Sequence, residues 1–141
     1  MKKSLLLTAA ALSLSLSLEA VVKLDVIYDA DENAFVERDF VKTDINFYDI
    51  NYEKEHRERE NVYLVFQNKQ DVLTQTQSAE LVENRKYKVT FFPRNSSQTT
   101  TTGWMCSPHP IKITPQTKAV KITIQKNVPA TKACNVEIIE K

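Results

Sequence analysis

Glycine is nearly absent from this chain: of 141 residues only Gly103 is one. Loops that cradle phosphate need several glycines, so that backbone amides can approach the anion without a Cβ in the way. Neither a dinucleotide fingerprint nor a P-loop can be written in this sequence. Its turns must be made with Asn, Asp, Ser, Thr and Pro instead. Histidine is scarce as well, with His56 and His109 alone, which is thin provision for general acid–base chemistry. No long stretch repeats with the 3.6-residue period of a buried helix. After the first twenty residues no hydrophobic run approaches the ~20 residues needed to cross a bilayer.

What is present at the start is a secretory signal pattern. Lys2 and Lys3 precede an apolar Leu/Ser/Ala stretch from Leu5 to Leu18, and Ala20 offers a small residue for cleavage. Leu18 fits the −3 position poorly, and Ser15-Leu16-Ser17 is a rival cut. The expected organisation is a signal peptide over 1–20 and one domain over 21–141, exported to the periplasm or cell surface, with no membrane span in the mature chain. Removing Lys2, Lys3 and Glu19 leaves 17 basic and 17 acidic side chains. That balance argues against a nucleic-acid partner, which requires a basic excess. The charges are nevertheless segregated. Val21 to Asn61 carries 6 basic and 12 acidic residues, and Val62 to Lys141 carries 11 and 5. Either the halves pair across one sandwich, or the molecule is dipolar and associates head to tail.

Cys106 and Cys134 are the two cysteines. In an oxidising compartment such a pair reads as a disulfide. Closing a loop of this size is worth roughly 3–4 kcal/mol in the chain-entropy account. Two free thiols or a metal site are the alternatives.

The chain between these landmarks reads as short strands. In Val21 to Tyr28, Val22, Leu24, Val26 and Tyr28 alternate with Lys23 and Asp25, the pattern of a half-buried strand. Phe35 to Val41 and Asp44 to Ile50 are the next two, with Phe35, Val36, Phe40, Val41, Ile45, Phe47 and Ile50 as inward candidates. Asn51 to Asn61 is almost wholly charged and reads as a short exposed helix with Glu53–Arg57 and Glu55–Arg59 pairs, or as a solvated loop. Val62 to Gln67, a continuous apolar run, predicts a central strand buried on both faces. Val72 to Gln75, Ser78 to Val82, Tyr87 to Phe91, Ile111 to Thr114, Ala119 to Gln125 and Cys134 to Glu140 complete the set. Eight or nine short strands separated by polar turns predict an all-β antiparallel sandwich.

Leu81 to Phe92, LVENRKYKVTFF, carries a more particular signal. Leu81 precedes Tyr87 by six positions, and Val89 and Phe91 follow with strand alternation. This resembles the tyrosine corner of immunoglobulin-like and fibronectin type III-like sandwiches. The resemblance implies that the Tyr87 hydroxyl bonds back to the corner backbone while its ring closes the core. The Pro and Gly usual between Leu and Tyr are Glu83 and Asn84 here, and more chain follows Tyr87 than a seven-strand layout uses. The sandwich carries over; the strand order does not.

Few constellations suggest chemistry. Asp29, Asp31 and Asn33 open like a calcium loop, but Ala34 and Phe40 stand where glycine and the bidentate glutamate belong. Cys106 and His109 have metal-like spacing, but too few further ligands exist to complete a zinc site. A half-cystine cannot act as a nucleophile. Asn95-Ser96-Ser97 matches a glycosylation acceptor, which is coincidental behind a signal of this bacterial type unless the source is eukaryotic. The reading is therefore non-enzymatic, with no metal and no cofactor. Recognition is expected at a loop comprising Arg94, Asn95, Ser96, Gln98, Thr100, Trp104 and Met105, with Trp104 either a contact residue or packed on the disulfide. The partner is then a protein, or the chain itself. A second reading is a pilus-like subunit that donates residues 21–28 to a neighbour's sheet. The layout is similar to that of chaperone–usher pilins. A periplasmic enzyme or inhibitor is the third.

Overall fold

The computed structural model describes residues 20–30, 40–50, 61–68, 74–95, 103–125 and 128–141. Within them the chain forms β1 (Val21–Ala30), β2 (Phe40–Asp49), β3 (Val62–Gln67), β4 (Thr74–Val82), β5 (Lys86–Asn95), β6 (Trp104–Met105), β7 (Ile111–Lys112), β8 (Thr117–Ile124), a single helical turn α1 (Ala130–Ala133) and β9 (Cys134–Glu140). Two sheets pack face to face. One has the order β4-β1-β8-β9; the other has the order β3-β2-β5-β6, with β7 also pairing β5. Neighbouring strands are antiparallel except β1 and β8, which run parallel. The all-β sandwich expected from the sequence is what the chain builds.

Alternation dictates what the sheets bury. Val22, Leu24, Val26 and Tyr28 of β1 point inward with Leu81 of β4 and Val120, Ile122 and Ile124 of β8. From the other sheet Ile45, Phe47, Phe66, Tyr87, Val89 and Phe91 meet them. Each such fully buried side chain contributes roughly 1.5–3 kcal/mol relative to exposure. The segment considered as a donated strand, residues 21–28, lies inside its own sheet, paired with β4 on one side and, from Asp25 onward, with β8 on the other.

Four expectations are revised. Val62 to Gln67 is an edge strand, not a central one: among the described residues it pairs only with β2, and Tyr63 and Val65 are 62% and 45% exposed. An apolar run states that a strand forms, but it cannot state how many neighbours the strand has. The two short strands placed over residues 72–82 are one, β4, because polar Thr76 and Gln77 do not interrupt extended backbone. The break placed between Val41 and Asp44 is absent, since β2 runs unbroken through Lys42 and Thr43. Ile50 lies beyond the strand and is 41% exposed. The readings of residues 1–19, 31–39, 51–60 and 96–102, including Phe35, Val36, Asp31 and Asn33, fall outside the described residues.

The passage from β4 to β5 crosses from one sheet to the other in three residues. Asn84 takes the left-handed conformation there (φ 60°), the role that glycine would otherwise fill. The Tyr87 hydroxyl accepts a hydrogen bond from the Val82 amide at 2.9 Å, in the buried interior. Asn84 N–H donates to the Ile113 carbonyl (2.6 Å) and Ile113 N–H donates to the Arg85 carbonyl (3.0 Å), which brings in the chain beyond β7. Arg85 and Asp49 form a buried ion pair beside the turn, at 3.7 Å.

At the opposite end Tyr28 makes a second polar tie between sheets. It donates to Asn68 Oδ1 (2.6 Å) and lies 3.1 Å from Thr43 Oγ1, which accepts from Asn68 Nδ2 (2.8 Å). Its ring stacks on Phe66 at 4.8 Å. Burial raises the phenol well above its ordinary pKa, and the Thr43 hydrogen bond opposes this only in part, so the donor stays protonated. Cys106 and Cys134 are joined, with Cα atoms 4.7 Å apart. The disulfide links the margin of the five-stranded sheet to β9, and Ser107 continues the seam by donating to the Cys134 carbonyl and accepting from Val136 N–H.

Two stability predictions follow from these ties. Tyr87→Phe leaves the Val82 amide buried without its acceptor and is expected to cost about 1–2 kcal/mol in urea unfolding. An unchanged midpoint would mean that the hydroxyl contributes nothing. The double variant Cys106→Ala/Cys134→Ala is expected to lose up to roughly 3–4 kcal/mol against the oxidised chain. The reduced wild type should match it in the same measurement.

Candidate binding face

Of the residues expected to form a recognition loop, Arg94, Asn95, Trp104 and Met105 lie among the described residues. Arg94 and Asn95 belong to β5 rather than to a loop. Arg94 is engaged by Asp44, with Nε 2.8 Å and Nη2 2.5 Å from Asp44 Oδ2. Ser96, Gln98 and Thr100 lie outside the described residues. Trp104 sits opposite Phe91 in the sheet, its ring 5.6 Å from that ring, and it packs against the core as a half-buried side chain. Met105, the next residue, turns the other way and is 36% exposed. Leu81 and Tyr87 are core.

Met105 and Arg94 nonetheless share a surface, the outer face of the five-stranded sheet. Register and alternation build it. Because Ile45 and Phe47 point inward, Asp44, Asn46 and Tyr48 of β2 point outward. Asn46 stands opposite Tyr63 of β3 and Thr90 of β5, and Thr90 stands opposite Met105 of β6. Asp44 stands opposite Val65 and Phe92. One row across the sheet is therefore Tyr63, Asn46, Thr90, Met105. A parallel row is Val65, Asp44, Phe92. The Lys88 ammonium lies 5.0 Å over the Tyr48 ring at the end of the face, a cation–π contact. Gly103 accommodates the Phe92 ring so closely that a Cβ would fall 2.1 Å from Phe92 Cε1. The single glycine of the chain is thereby explained by close approach rather than by a turn.

The centre of this face is chemically unusual. Asp44 Oδ1, Asn46 Oδ1 and Thr90 Oγ1 are removed from solvent and have no hydrogen-bond partner among the described residues. Each such group costs about 1–3 kcal/mol to desolvate. Around them stand the exposed Tyr63, Val65 and Met105. The outer face of the other sheet is more polar: Lys23 and Asp25 of β1 and Thr74, Thr76, Ser78 and Glu80 of β4 are exposed there, with Val21 an exposed apolar residue at its margin. Among the described residues no group of three or more histidine, cysteine or carboxylate side chains is placed to hold a metal ion. No described helix is long and apolar enough to cross a membrane.

Met105 and Arg94 are among the sequence candidates, whereas Tyr63, Asn46 and Thr90 carry no local signal of a shared face, because they are far apart in the chain and meet only through register. The apolar run of β3 was the available signal, had it been assigned to an edge. No protein-family model, curated protein or solved structure matches the chain.

Thr90→Val removes the unpartnered hydroxyl while keeping the shape of the side chain. It is expected to raise the stability of the free protein by about 1 kcal/mol in urea unfolding. A loss of stability would mean that the hydroxyl is satisfied in solution.

Proposed function

We propose that this chain is an exported, non-enzymatic binding module of immunoglobulin-like type, and that it engages a protein partner through the outer face of the five-stranded sheet. The observation that carries the reading is the contrast between the two outer faces. One presents Lys23, Asp25, Thr74, Thr76, Ser78 and Glu80, with Val21 its strongly exposed apolar side chain at the start of β1. The other exposes Tyr63, Val65 and Met105 around the buried polar atoms of Asp44, Asn46 and Thr90. Tyrosine and arginine are favoured at the centre of protein contacts, and a desolvated polar group there rewards a partner that brings the matching donor. The disulfide is compatible with an oxidising compartment, and the Leu81–Tyr87 segment with its Tyr87–Val82 bond supports the family resemblance.

Two measurements test this. Protein isolated from the exporting cell should begin at Val21, read by mass spectrometry; retention of residues 1–20 would remove the export reading. Surface proteins of the same cell, crosslinked to the wild type, should be recovered equally with Lys23→Ala/Ser78→Ala. Recovery should fall by about tenfold, a loss of roughly 1.4 kcal/mol, with Tyr63→Ser/Met105→Ser at an unchanged melting temperature. Equal recovery with both double variants would place the contact elsewhere.

A further inference from the structure

The free margin of β3 is closed by side chains. Gln75 and Gln77 belong to β4, in the opposite sheet. The Gln75 amide accepts from Gln67 N–H at 3.1 Å and donates to the Gln67 carbonyl at 2.5 Å; the Gln77 amide donates to the Val65 carbonyl at 2.7 Å. In an antiparallel ladder the N–H and C=O of one residue point to the same side. Residues 63, 65 and 67 therefore turn their backbone groups away from β2, toward this margin. A glutamine amide carries one carbonyl and one NH₂, the same donor–acceptor pair as a peptide unit. The two glutamines thus occupy sites that an added strand would take.

We propose that β3 is a self-association edge held shut by this glutamine latch, and that its occupant when released is the β3 of a second copy of this chain. The strand itself points to that occupant. Val62–Gln67 contains no charge and no proline, so nothing in it repels an identical strand, and it is rich in the residue types that add to edges. Antiparallel pairing centred on Val65 sets Val65 against Val65 and Tyr63 against Gln67 of the other copy. That is an isologous contact, and it covers the exposed Tyr63 and Val65 side chains of both copies. The β9 edge is less suited: Glu137 and Glu140 lie along it, and Ser107 already bonds its first residues. This inference concerns backbone at one edge and does not rest on the binding face proposed above.

The test uses the full oxidised chain, with mass in solution measured by light scattering across a concentration series. The wild type should stay monomeric. Gln75→Ala/Gln77→Ala should shift toward twice the monomer mass with rising concentration. Adding Val65→Pro should return it to monomer, because proline there deletes only an edge-facing N–H and leaves the bonds to β2 intact. A folded double variant that remains monomeric overturns the proposal. So does association that Val65→Pro leaves unchanged, or a wild type that dimerises as strongly as the variant. If circular dichroism shows the double variant unfolded, the single Gln77→Ala chain, which loses one bond, decides. Dimerisation reversed by Val65→Pro supports the latch, and a monomer at all concentrations overturns it.

Discussion

The hydrogen bond from the Val82 amide to the Tyr87 hydroxyl is the join that the rest of the sandwich depends on. A chain that leaves one sheet at Val82 and enters the other at Lys86 has three residues in which to turn. The turn exposes backbone groups to a dry interior, where each unpaired amide is costly. The tyrosine satisfies one from across the core. The others are met by the segments that converge there: Glu83 N–H donates to the Ala20 carbonyl, Asn84 N–H to Ile113, and Ile50 N–H to the Lys86 carbonyl. The start of β1, the end of β2 and the chain after β7 are therefore all positioned by one corner. With that end fixed, Tyr28 closes the far end through Thr43 and Asn68. Two buried phenols, one from each sheet, hold the layers in register along their length.

The segregated charge of the sequence finds its use in the same architecture. Asp49 pairs with Arg85, Asp44 with Arg94 and Asp29 with Lys121, each an acid of the first half with a base of the second. The strands that bear them are neighbours in space because β2 lies beside β5 and β1 beside β8. Segregation along the chain becomes alternation across the sheets. The Arg85–Asp49 pair is buried and beside the corner, where loss of either partner would strand a charge in low dielectric. Lys121–Asp29 is exposed and contributes little.

How much of this was legible beforehand depends on range. The alternating strand Val21–Tyr28, the inward residues Val120, Ile122 and Ile124, the cysteine pairing and the sandwich class follow from local pattern, and they stand in the structure. Neighbour relations do not. A continuous apolar run such as Val62–Gln67 satisfies two geometries equally, buried on both faces or lying at an edge with one face open. Only the partner strand decides between them. The parallel pairing of β1 with β8 is likewise invisible in either strand. The outer row is hidden for the same reason: Tyr63, Asn46 and Thr90 become one surface only when register is known.

Edges and faces divide the work in this fold. An edge offers any extended backbone the same hydrogen bonds, so it confers little selectivity and must be guarded. The usual guard is a charged side chain on the edge strand itself, which repels but leaves backbone groups to water. Here two margins are bonded from within. Gln75 and Gln77 satisfy β3 from the opposite sheet, and Ser107 with the Cys106–Cys134 bridge satisfies the start of β9. Each guard also ties one sheet to the other. Closing an edge and clamping the sandwich are thus the same set of bonds, and withdrawing β1 for a neighbour's use would break a sheet that pairs it on both sides. The outer face of the five-stranded sheet is where the exposed Tyr63, Val65 and Met105 surround polar atoms that water does not reach.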